Sequence, residues 1–206
     1  MSACQICEKR RPRRTCPGVR GDICAPCCGE EREVSVDCPL DCSYLAEARR
    51  HEKLPDVNPD EFPNADIQIK EGFIDEHANL LILLGRALTE SSMETLGATD
   101  FDVREALAAI VKTYRTRESG LIYETRPSNP YAAAVQQGLQ TRIEDGARRL
   151  HEATGMHVVR DSEVLGLLVF LQRLEIQHNN GRRRGRAFLH FLLQHFPQQP
   201  EPLIGA

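Results

Sequence analysis

At 206 residues the chain is long enough for one domain or two small ones, and its 41% hydrophobic and 27% charged side chains are ordinary for a folded protein. A formal net charge of −4 argues against a general nucleic-acid binder. All the cysteines lie between Cys4 and Cys42, so the N-terminal quarter must solve a different folding problem from the rest.

Residues 1–53 contain no Phe or Trp, a single Tyr and few large aliphatics. A segment so small and so poor in core residues needs a staple, either disulfides or metal. The opening "MSACQICEKRRPRR" lacks the apolar run of a secretory signal. The densest apolar run, "NLLILLGRAL", falls well short of the roughly 18 residues that span a bilayer. The expectation is a cytoplasmic protein without a membrane partner. In a reducing compartment clustered cysteines bind metal more often than they pair as disulfides.

The spacing supports metal. Cys4-x2-Cys7 is followed by Cys16, then Cys24-x2-Cys27 with Cys28 adjacent, then Cys38-x3-Cys42 and, further on, His51. A C-x2-C turn brings two thiolates to one tetrahedral ion at about 2.3 Å. Gly29 would provide a loose backbone after "CAPCC". Pro39 would open a helix, placing Cys38 and Cys42 on one face of its first turn, where thiolate is favoured over thiol. A knuckle followed by a ligand-bearing helix is treble-clef logic. Two zinc ions are expected. The first would use Cys24, Cys27 or Cys28, Cys38 and Cys42; the second Cys4, Cys7, Cys16 and either Cys28 or His51. An interleaved, cross-braced pairing is the alternative that spacing leaves open, and nine candidates for eight positions leave one unused. Four thiolates also suit an iron–sulfur cluster. A sulfur left over from Cys27–Cys28 would suit thiol-redox chemistry. All-cysteine zinc sites are usually closed to substrate, so the staple reading comes first.

The run "CPGVRGDICAPCCGEEREVSVDCPLDCSYL" resembles a cysteine-rich N-terminal module, C-P…C-x2-C-C-G-x2-R…C-P-x-D-C-x-Y-L, of uncharacterised bacterial proteins. The resemblance covers about residues 4–45, and "NNGRRRGRAFLHFLLQHFP" is similar to the C-terminus of such proteins. It implies zinc and a bacterial source, and no activity.

Residues 54–66, "LPDVNPDEFPNAD", have the prolines and acids of a linker. Residues 67–196 then read as an all-α, antiparallel helical bundle in about five segments. The first runs roughly from Ile67 to Leu96, with a possible break, and is apolar on most faces, which predicts a central helix. The second starts at Thr99 or Asp100 and buries Val103, Ala106, Leu107, Ile110, Val111 and Tyr114. The third is capped by Asn129 with Pro130 in first position, aligns Val135, Leu139, Ile143 and Leu150, and stops at Gly155. The fourth starts at Asp161 and buries Val164, Leu167, Leu168, Leu171 and Leu174. The fifth runs from about Arg184 to His195, with Phe188, Leu189, Leu192 and Phe196 inward. Residues 197–206 read as a flexible tail.

Two basic runs are candidate nucleic-acid or anion contacts: Lys9, Arg10, Arg11, Arg13 and Arg14, and Arg182, Arg183, Arg184 and Arg186. The second run sits where the dipole of the last helix repels cations, so acidic partners within the bundle or an external anion are expected. Glu175 and His178 form one Glu-x-x-His motif; di-iron bundles need two, so this pair is expected to cap and solvate a helix end. His77 is expected to be a satisfied core histidine. No phosphate-binding glycine loop or dinucleotide fingerprint occurs. The sequence therefore predicts a non-enzymatic zinc protein acting as a protein-interaction or regulatory module. A nucleic-acid binder and a thiol-redox or iron–sulfur protein are the alternatives.

Overall fold

A computed structural model describes residues 3–53, 55–121, 123–154 and 159–198, without the side chains of residues 150, 153 and 154. The Gly155 stop, the inward turn of Leu150 and most of the 197–206 tail lie outside the described residues. Among the described residues the protein is mainly helical, with 56% helix and 4% strand.

The N-terminal module starts with a knuckle at Cys4–Cys7, closed by the Glu8 amide donating to the Cys4 carbonyl at 2.7 Å. A short antiparallel hairpin follows, β1 (Arg14–Cys16) against β2 (Gly21–Ile23), with Cys16 opposite Gly21. Two short helices complete it, α1 (Ala25–Glu30) and α2 (Ser43–Arg49). The knuckle is laced to the hairpin by Cys4 N–H to the Arg10 carbonyl at 3.0 Å and Gln5 N–H to the Asp22 carbonyl at 3.1 Å. Two local expectations are corrected. Gly29 lies within α1 and is not among the glycines with positive φ, so the turn after Cys28 needs no glycine there. Pro39 does not open a helix: α2 starts at Ser43 with Cys42 as its N-cap, and Cys38 lies outside it.

The helical body holds α3 (Phe73–Glu76), α4 (Ala78–Glu94), α5 (Asp100–Glu118), α6 (Pro130–Thr154), α7 (Asp161–His178) and α8 (Ala187–His195). Helix α5 packs on α6 and α7, and α4 on α6 and α8. The first predicted helix starts later than expected, at Phe73, and breaks at His77, whose Nδ1 lies 2.8 Å from the Phe73 carbonyl. It is also not apolar-buried all round, because Leu84, Ala87 and Leu88 face the core while Ile82 and Leu83 face solvent. Helix α5 follows its sequence pattern closely. Thr99 and Asp102 form a reciprocal capping box, and Val103, Ala106, Leu107, Ile110, Val111 and Tyr114 are all buried. Asn129 caps α6 by accepting from the Tyr131 amide at 3.0 Å.

The last helix is shorter than expected. Arg182, Arg183 and Arg184 precede it and Arg186 is its N-cap, so they do not occupy its first turn. A buried acid from another helix caps it instead: Asp100 accepts from the Phe188 and Leu189 amides at 3.0 and 3.1 Å. Burial raises the Asp100 carboxyl to about 6 despite those donors.

The segment between the two parts is tied down at its far end. Asn64 donates to Gln172 at 2.8 Å, Arg115 reaches Asp66 at 2.6 Å, and Arg173 donates to the Asn64 and Ile67 carbonyls. The module itself contacts the body through Glu33, which is only 1% exposed and takes a left-handed φ of 54°. Its carboxylate accepts from Arg49 at 2.8 Å, the Arg186 amide at 3.0 Å and Asn180 at 2.9 Å.

Candidate metal centre

Cys4 and Cys7 come from the knuckle; Cys24 is the N-cap of α1, in extended backbone, and Cys27 lies one turn inside it. Their four sulfurs lie within 4.8 Å of one another. Cys7 Sγ and Cys24 Sγ are 4.0 Å apart; tetrahedral zinc thiolates at about 2.3 Å would place sulfurs about 3.8 Å apart. Cys4, Cys24 and Cys27 are buried, and all eight cysteines are free of disulfides. The cluster is therefore close enough to bind one metal ion.

The backbone around Cys4 and Cys7 favours thiolate. Burial raises the Cys4 thiol, but amides of Cys7, Cys24 and Ile6 outweigh it and bring it down to about 6. The Cys24 amide donates to Cys4 Sγ at 3.2 Å. The amides of Lys9 and Arg10 lower Cys7. Cys27 moves the other way: its hydrogen bond with Cys24, helped by burial, pushes it up to about 12. A metal ion bound here would displace whatever protons the four sulfurs carry. The Arg10 guanidinium lies against the Cys24 sulfur, which raises the arginine further above its ordinary value.

This grouping differs from the pairing that spacing put first. Cys24 and Cys27 join Cys4 and Cys7, and Cys38 and Cys42 do not enter the cluster. Spacing could not decide this, because either C-x2-C pair can be completed by any other pair. His51 stands apart. It is largely exposed at the end of α2, with its Nε2 3.4 Å from Glu47.

The basic runs divide. Lys9, Arg10, Arg11 and Arg13 are exposed, whereas Arg14 lies over the Tyr44 ring at 4.5 Å and donates to Cys28 Sγ at 3.1 Å. Arg182 donates to the Arg32 carbonyl at 2.8 Å, and Arg186 pairs with Asp37 at 2.9 Å. Their partners are internal: both arginines reach the cysteine module, and Arg186 also donates to the Ala98 carbonyl of the body at 2.9 Å. Arg183 and Arg184 keep exposed side chains.

Glu175 is not solvated at a helix end: it is fully buried, held by Arg104 at 2.7 Å and Asn179 at 2.6 Å. His178 stacks on Phe191 with centroids 3.9 Å apart. His77 is only half-buried, with its Nε2 3.7 Å from Glu163. The hairpin and Glu33 escaped sequence reasoning. Three-residue strands carry too little alternation to register, and Glu33 lies in a charged run where nothing marks it from its neighbours.

No family model matches the chain, and neither a curated protein nor a solved structure matches it significantly. Among the described residues no helix is long and apolar enough to cross a membrane.

Proposed function

We propose that this is a non-enzymatic zinc protein whose N-terminal module is a protein-interaction or regulatory element built on a treble-clef frame. The carrying observation is the complete four-cysteine set of Cys4, Cys7, Cys24 and Cys27, with sulfurs within 4.8 Å of one another. Knuckle, hairpin and ligand-bearing helix follow in treble-clef order. Four protein ligands fill a tetrahedral ion, leaving no position for water or substrate, so the metal's work is to fold the module. The partner is a protein. An open groove of about 710 Å3 between α4 and α6 sets exposed Ile82 and Leu83 among charges of both signs, Arg86, Arg142 and Arg149 with Glu90 and Asp145, and gives the body a surface of mixed apolar and charged character.

Metal analysis and a thiol count on the native chain test the zinc reading. Zinc with Cys4, Cys7, Cys24 and Cys27 protected from alkylation is expected. A brown chromophore absorbing near roughly 400 nm would replace zinc by an iron–sulfur cluster. The nucleic-acid reading retains the exposed Lys9, Arg10, Arg11 and Arg13. Salt-sensitive retention of RNA or DNA, lost on changing these four to Glu, would favour it over a protein partner.

A further inference from the structure

We infer that Cys16, Cys28, Cys38 and Cys42 form a second tetrathiolate site, which takes its own zinc ion. The inference rests on the zinc reading of the first cluster and extends it to the remaining sulfur.

These four cysteines line one small cavity of about 20 Å3 between the hairpin, α1 and the turn before α2. That is room for a single water-sized particle. Cys16 and Cys38 are buried, while Cys28 and Cys42 are partly so. The adjacent pair Cys27–Cys28 explains the division. Successive residues on a helix point about 100° apart, so two neighbouring cysteines on α1 cannot both face one ion. Cys27 faces the first cluster and Cys28 lines the second cavity.

The close approach of Cys38 to the hairpin is built into the backbone. A Cβ at Gly18 would lie 2.5 Å from the Asp37 carbonyl oxygen, so only glycine lets the segment before Cys38 pack against the hairpin loop. Cys38 thereby lines the same cavity as Cys16 and Cys42. The charge is matched as well. A zinc ion with four thiolates carries a net −2, and two guanidinium groups, Arg14 and Arg32, line the same cavity. Arg14 already donates to Cys28 Sγ at 3.1 Å, as Arg10 stands against Cys24 in the first cluster.

The second set is more open than the first, since among the described residues only the sulfurs of Cys4, Cys7, Cys24 and Cys27 gather within 4.8 Å of one another. The cavity is the space its sulfurs would close by rotation about χ1, each cysteine having that one side-chain torsion to its sulfur. A packing demand points the same way. From residue 31 to 53 only Val36 and Leu45 are buried aliphatic side chains, too few to fix this stretch without a cross-link.

The test uses the full chain and zinc or cobalt(II) as the probe. Native mass spectrometry should find two zinc ions per chain, and Cys38→Ser with Cys42→Ser should find one. Cobalt(II) titration of the metal-free wild-type chain should raise the thiolate charge-transfer band up to two equivalents. Alkylation of the native wild-type chain should spare all eight cysteines; this arm decides the matter if the double variant does not fold. One zinc per chain, with Cys16, Cys28, Cys38 and Cys42 alkylated and the other four spared, would overturn the second site and leave the first intact. A Cys38–Cys42 disulfide, or two zinc ions retained by the double variant, would also overturn it. No metal at all would overturn both sites.

Discussion

The two ends of the molecule hold themselves together by different means. In the helical body, α4 to α8 bury a continuous core that includes Leu84, Leu107, Ile110, Leu139, Leu168 and Phe188. In the module the buried apolar residues are Ile23, Val36 and Leu45, set among Cys4, Cys16, Cys24, Cys27 and Cys38. Three aliphatic side chains at roughly 1.5–3 kcal/mol each cannot offset the ordering of some fifty residues. Cysteine therefore occupies the places that leucine and phenylalanine fill in the body, and on the proposed zinc reading metal coordination takes over from apolar burial. A chain can thus fold two neighbouring parts by separate chemistries, and each should respond to a different insult.

The largest effect expected is on the module. Replacing Cys24 and Cys27 together by Ser should abolish zinc at the first cluster and unfold residues 3–49, because structural zinc supplies on the order of 10 kcal/mol to small sites. The helical signal of α4 to α8 in far-UV circular dichroism should persist. Next comes the contact between the two parts. Glu33→Ala removes the one acid that Arg49, Asn180 and the Arg186 amide share. Breaking a buried ion pair from one side costs about 3–5 kcal/mol. Urea unfolding should then split into two transitions, while zinc content is unchanged.

Leu107→Ala strikes the body alone. Leu107 is fully buried in α5, and truncation of this kind costs about 2–5 kcal/mol. The melting temperature of the body should fall, with metal content again unaffected. A smaller effect concerns pH. The Asp100 carboxyl is raised from 3.8 to about 6 by burial, so between these values the folded chain keeps a proton that the unfolded chain has lost. Stability from this group is therefore fully present below about pH 4 and falls as pH rises through 6, by at most about 3 kcal/mol. Asp100→Asn should flatten the difference in urea midpoint between pH 5 and 7 relative to the wild-type chain.

Much of the body was legible because its helices carry their periodicity locally. Thr99, Pro130 and Asp161 mark helix starts that hold in the structure, and the inward residues of α5 follow from spacing alone. Helix α4 misled because Ile82 and Leu83 interrupt its outer face, so that only Asn79 and Arg86, seven residues apart, mark the side of "NLLILLGRAL" left outside. That the module's cysteines would gather into a cluster fit for metal was legible from cysteine count and the shortage of apolar residues, but their grouping was not. Identical C-x2-C spacings carry no information about partners; the hairpin, which turns Cys24 back beside Cys4, supplies it. Least legible were the contacts of Glu33. Its partners Asn180 and Arg186 lie about 150 residues away in sequence, and nothing local to either run announces the other. The arginine run's acidic partners were expected within the bundle or as an external anion for the same reason, since Asp37, which answers Arg186, lies on the module.

The central claim is that metal, and not apolar burial, holds the module. Hydrogen exchange before and after zinc removal by a chelator tests it most directly. The account predicts that amides of Cys4, Gln5, Arg13, Cys28 and Leu45, which close the module's turns, hairpin and helices, lose protection when the metal leaves. Amides of α5 and α7 should keep theirs. Unchanged protection of the module in the zinc-free chain would contradict it.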